Sequence, residues 1–125
     1  MNTPSPPLYH YLVVRDDLPY TMQAIHLAHA ADESVPAALA PLPSTTRHAH
    51  FHVSNTAELL ALAERVRAAG FAVMVITEPD GPEYGRGEVS FGVEPSTRHN
   101  RLRKLFHHTR MMFIPDARHP GFLPR

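Results

Sequence analysis

Three seven-residue runs, at positions 9–15, 47–53 and 71–77, read as strands, and each of the first two leads into a stretch with helical spacing. Strands that alternate with helices point to an α/β layout with helices packed on a largely buried sheet. The runs differ in kind. YHYLVVR, at 9–15, is dominated by aromatic and β-branched residues that suit a pleated, crowded surface. RHAHFHV, at 47–53, alternates, so His48, His50 and His52 project from one face and Ala49, Phe51 and Val53 from the other. FAVMVIT, at 71–77, is continuously apolar and predicts a strand buried on both faces.

Between the strands, Asp16, Asp17 and Leu18 supply a turn, and Pro19 opens a helix running from Tyr20 to about Asp32. Its apolar face is predicted from Met22, Ile25, Leu27 and Ala28. Residues 34–47 hold three prolines and predict a short helix followed by a loop. Asn55 with Glu58 three positions on forms a capping-box start. Leu59, Leu60, Leu62, Ala63 and Val66 then make the apolar stripe, and Gly70 closes the helix. After a loop rich in glycine and proline over 78–87, Glu88 to Glu94 predicts a strand. Thr97 is placed to cap a last helix reaching about Met112, with Leu102, Leu105 and Phe106 inward.

The expected fold is therefore a three-layer α/β/α arrangement around a four-stranded mixed sheet, in the order β-α-(α)-β-α-β-β-α. The expected organisation is a flexible lead at 1–8, one domain at 9–112 and an irregular tail at 113–125.

Composition removes several classes of function. A length of 125 residues with 43% hydrophobic content supports one real core. The absence of cysteine excludes disulfides and thiolate chemistry and makes a cytoplasmic setting the expectation. No apolar run has the length of a membrane span, and MNTPSPP lacks a basic residue ahead of an apolar core, so neither a membrane anchor nor a secretion signal is expected.

Twelve basic residues balance twelve acidic ones, which argues against nucleic-acid binding by bulk attraction. The basic residues are unevenly placed. Arg98, Arg101, Arg103, Lys104, Arg110, Arg118 and Arg125 face a single acid, Asp116, from position 98 onward. Such a segment can form a local anion-binding face or a plain solvated helix surface. Ten histidines add charge as pH falls below 7.

The ordered motifs resemble type II peptidyl-tRNA hydrolases, most closely their short phage and bacterial branch. Val14, Arg15, Asp17 and Leu18 fit the V-R-x-D-L strand end, and Gln23, Ala24, His29 and Ala30 fit the helix that follows it. Asn55, Glu58, Leu59 and Leu60 fit the next helix. Glu78, Pro79 and Asp80, then Glu88, Val89, Ser90 and Phe91, then Glu94 and Pro95, fit the acidic loop and final strand. The resemblance spans about residues 9–110. It departs where Tyr20 and Met22 stand in place of lysines, His26 in place of a glutamine, and Ser90 in place of a threonine.

The resemblance implies hydrolysis of the ester between a peptide and tRNA without a cofactor, and family members often form homodimers. It implies catalytic roles for His29, Asp80 and Ser90, and substrate contacts from Arg15, Asp17, Gln23, His26, Arg98 and Arg101. Ester cleavage needs a base for water, a stabilised oxyanion and an acid for the leaving oxygen, and these residue types supply them. A covalent serine route is disfavoured, because Ser90 lies in VSFGV and not at a Gly-x-Ser-x-Gly elbow.

Two other readings stay open on the residues. One is a tRNA- or protein-binding module of the same fold without hydrolysis. The other is a metal-binding protein, with His48, His50 and His52 on a strand face joined by His26 or His29 from a helix.

Overall fold

The computed structural model describes residues 6–78 and 87–111. Within them run β1 (Tyr9–Arg15), α1 (Tyr20–Glu33), a 3-10 turn at Ala37–Leu39, β2 (Arg47–Val53), α2 (Thr56–Ala68), β3 (Val73–Thr77), β4 (Glu88–Val93), α3 (His99–Leu105) and β5 (Arg110–Met111). The strands form one mixed sheet in the order β3-β4-β1-β2-β5. β1 and β2 are parallel, and the remaining neighbours are antiparallel. Four strands carry the sheet, and the two-residue β5 adds to the edge of β2, a pairing no apolar pattern announces.

β1 lies in the middle, which explains why its sequence shows no polar alternation: helices cover both of its faces. On one face Tyr11, Val13, Phe51 and Phe91 meet Leu59 and Leu62 of α2 and Leu102 of α3. On the other, Leu12, Val14, Ile76 and Val89 meet Leu27 and Ala30 of α1. Helices on both faces of a mixed sheet match the three-layer expectation.

α2 follows its sequence closely. The Asn55 side chain accepts from the Glu58 amide at 2.9 Å, the Glu58 carboxylate reaches back to the Ser54 amide at 2.8 Å, and Gly70 closes the helix at φ 94°.

Three expectations change. The inner face of α1 is Gln23, His26, Leu27 and Ala30, while Ile25 is 48% exposed, so the buried stripe is set by i, i+3, i+4, i+7 spacing and contains two polar residues. β3 begins at Val73 and pairs only with β4, leaving Met74 45% exposed on an edge strand where burial on both faces was expected. The last helix covers only His99–Leu105. Thr97 does not cap it; the first-turn flank is Arg98, with no side-chain cap, and the chain turns after Phe106 to pair with β2. The remaining boundary expectations, at residues 1–5, Met112 and the tail at 113–125, lie outside the described residues.

Among the described residues, no helix is long and apolar enough to cross a membrane.

Candidate active site

Parallel pairing places the carboxyl ends of β1 and β2 at one edge of the sheet, with Val14 opposite His52 and Arg15 opposite Val53. That edge of a parallel pair is where chains leave the sheet and polar groups can converge. The pairing continues one residue further through the Asp16 amide, which donates to the Val53 carbonyl at 2.8 Å. It sets Asp16 beside His52.

The His52 Nδ1 and Asp16 Oδ2 are 2.6 Å apart. An ionised carboxylate can only accept, so Nδ1 carries the hydrogen, and the neutral form of the ring has its lone pair at Nε2. His52 is 20% exposed, and its ring projects from the α1 face of the sheet, as does Val14 opposite it. Residues 52–54 also border a cleft of about 700 Å³ on the α2 face, with Glu58, Arg65, His108 and Thr109. A part-exposed base held by an orienting carboxylate can take a proton from water or a hydroxyl.

Arg15 sits beside this pair and faces the other way. Its Nε and Nη2 donate to the two oxygens of Asp17 at 2.9 and 2.7 Å, and its Nη1 donates to the Glu88 carbonyl at 3.2 Å. At 3% exposure it is a fixed positive centre beneath the strand end, held in a bidentate fork. Gln23 donates from Nε2 to the Leu18 carbonyl at 2.7 Å, so its amide braces the turn between β1 and α1.

The residues named by the motifs fall into separate places. His26 is 1% exposed, and neither ring nitrogen has a hydrogen-bond partner among the described residues. Burial pushes its pKa down, the neighbouring His29 adds to that, and Glu78 acts against it. His29 is exposed, its ring centroid 5.5 Å from that of His26. Ser90 is fully buried, its hydroxyl donating to the His26 carbonyl at 2.9 Å, which places it in the packing between β4 and α1. Asp80 lies outside the described residues. Arg98 stacks its guanidinium 4.5 Å from the Phe71 ring centroid, and Arg101 is exposed on α3; neither lines a cleft described here.

The strand and helix histidines also stay apart. The His26 carbonyl sits on Ser90 of β4, whereas His48 and His50 belong to β2, on the far side of β1. Among the described residues, no group of three or more His, Asp or Glu side chains is arranged to hold a metal ion.

A second cleft, of about 690 Å³, opens on the α3 side of the sheet. Tyr9, Tyr11, Phe51 and Phe106 form its floor, and Arg47, Arg103 and Lys104 stand around it. Sequence reasoning counted Arg103 and Lys104 within the basic segment but had no means of joining them to Arg47. It likewise treated Asp16 as a turn residue and His52 as one of three strand histidines. Only the parallel register unites those two.

No protein-family model matches this chain, and no curated protein matches it closely enough to count as a relative.

Proposed function

We propose that this chain hydrolyses an ester of the peptidyl-tRNA type, with His52 as the general base and Asp16 as its orienting partner. The observation that carries the reading is the 2.6 Å pair at the carboxyl ends of the parallel strands, with the His52 ring 20% exposed. In the proposed step, Nε2 takes a proton from water as the water oxygen attacks the ester carbonyl. The imidazolium then returns that proton to the departing ribose oxygen, while Asp16 stabilises the transient positive charge.

The substrate class is supported by the motif resemblance. The same resemblance would assign the base to His29 and the orientation of water to Asp80, so the two assignments compete directly. Release of N-acetyl-amino acid from N-acetyl-aminoacyl-tRNA, with and without EDTA, tests the reaction. The expected result is EDTA-insensitive turnover that survives in His29→Ala and falls about 100-fold or more in Asp16→Asn, in the range of general-base effects. Collapse in His29→Ala or Asp80→Ala with Asp16→Asn unaffected would return the chemistry to the motif residues. No turnover by folded wild-type protein would overturn the hydrolase reading, and turnover abolished by EDTA would overturn its metal-free form.

A further inference from the structure

The chain is formally neutral, yet two parts of it carry local concentrations of one sign. Asp16, Asp17, Glu78 and Glu88 gather where β1, β3 and β4 meet their loops at the carboxyl edge of β1. The opposite half of the molecule holds the 690 Å³ cleft, and none of its described lining residues is acidic. Arg47, Arg103 and Lys104 are exposed at its margin, without a carboxylate partner among the described residues. Three uncompensated cations around one concavity are a local feature that the overall composition does not produce.

The floor of this cleft is aromatic. The His99 ring lies 3.7 Å from the Tyr9 ring with the planes 7° apart, a stacked pair at the margin. Tyr11 and Phe106 meet edge to face behind it, with centroids 4.9 Å apart. Burial, with the charges of Arg103 and Arg47, pushes the His99 pKa down, so its ring is neutral at pH 7 and offers both a donor and an acceptor.

Tyr11, Phe51 and Phe106 are buried beneath, so the part-exposed Tyr9–His99 stack with cations beside it is the surface offered. It suits a ligand that alternates stacking faces with negative charge, which describes a single-stranded nucleic acid. A volume near 690 Å³ falls within the roughly 300–1,000 Å³ scale of ligand clefts, enough for about one or two nucleotides. We propose that this cleft binds the single-stranded end of an RNA, with phosphates on Arg47, Arg103 and Lys104 and a base extending the Tyr9–His99 stack.

Thr109 lines both this cleft and the one containing His52, so the two adjoin across the His107–Thr109 turn. A strand end seated on the aromatic floor would lead toward His52. That directional part rests on the hydrolase reading; the binding does not.

The test is equilibrium binding of a fluorescein-labelled oligoribonucleotide of about seven residues, alongside its duplex form, a nucleoside monophosphate and inorganic phosphate. The expected result is that the single strand binds most tightly. The Arg47→Ser/Arg103→Ser double variant should weaken it at least tenfold and lower the salt dependence by about two units, one for each lost phosphate contact. His99→Ala should weaken it roughly tenfold with the salt dependence unchanged, since stacking carries no charge. Equal binding of the monophosphate would make the ligand a free nucleotide and overturn the RNA assignment. No binding by folded wild-type protein, or the same loss in Arg67→Ser on α2, would overturn the cleft itself. Because binding is read without an ester, RNA binding without turnover counts against the hydrolase reading alone. Turnover without RNA binding counts against the cleft alone.

Discussion

Gly92→Ala is expected to destabilise the fold by about 3 kcal/mol, at the upper end of the usual cost of overpacking. Gly92 lies in β4 opposite Leu12 of β1 and Met74 of β3, with its α-carbon facing α1. A methyl group there would stand 2.5 Å from the Ala30 carbonyl oxygen and 2.6 Å from the Ser34 β-carbon, and against the Ser34 hydroxyl. Ordinary contact begins near 3.4 Å. The Ala30 oxygen belongs to the helix backbone, so relief requires α1 to lift from the sheet. That movement would loosen the buried Leu27 and Ala30 packing and strain the bond from Ser90 to the His26 carbonyl. Urea denaturation measures the change directly; a midpoint within error of wild type would show that α1 is not seated as described.

Acid should weaken the fold well above the carboxylate range, through His10. The Ser34 hydroxyl has one hydrogen, and it points to the Ala30 carbonyl at 2.6 Å, because a carbonyl cannot donate. At 2.7 Å from the same hydroxyl, His10 Nε2 must therefore be the donor, which leaves Nδ1 as a buried bare lone pair. Protonating Nδ1 would create a buried cation without an acceptor. Burial, reinforced by His48 and His50, accordingly lowers the His10 pKa from 6.5 to about 4.

The direction of the pH effect follows. Between pH 6.5 and about 4 the unfolded chain binds a proton that the native chain refuses, so stability falls as pH falls through that window. The full effect of His10 is about 3 kcal/mol at 1.36 kcal/mol per unit. His26 and His50, also lowered mainly by burial, add in the same direction. Urea midpoints at pH 7.0, 6.0 and 5.0 should decline steadily in wild type and decline less in His10→Gln. Equal slopes in the two proteins would contradict a neutral buried His10.

Much of this fold was legible because local and tertiary preferences agree. The boundaries of β1 and β2 follow from their aromatic, β-branched and alternating residues, and α2 from its cap, stripe and closing glycine. The misreadings arose where burial depends on neighbours. Continuous apolar character at 71–77 suggested a central strand, yet β3 is an edge, covered in part through its single partner β4. Apolar residues locate the buried face of α1 only in part: Leu27 is buried and Met22 packs beside it, but Ile25 and Ala28 are exposed. The face also includes Gln23, whose amide braces a turn, and His26, whose ring is enclosed.

The candidate site was less legible than the fold. Asp16 and His52 are 36 residues apart, and no spacing rule joins them; a parallel register does. Arg47 and Arg103, 56 positions apart, likewise share a cleft that no spacing rule announces. Motif matching located Ser90 and His29 as residue types but could not say that one is enclosed beneath a helix and the other exposed on it.

The most direct test of the account is the single-turnover rate of N-acetyl-aminoacyl-tRNA cleavage by wild type and by His52→Gln, with both proteins shown to be folded. Glutamine keeps a group able to donate to Asp16 and removes the base. The account predicts a rate lower by about 100-fold or more in the variant. A rate within about threefold of wild type, well below the scale of general-base catalysis, would contradict it and leave the Asp16–His52 pair as a structural contact.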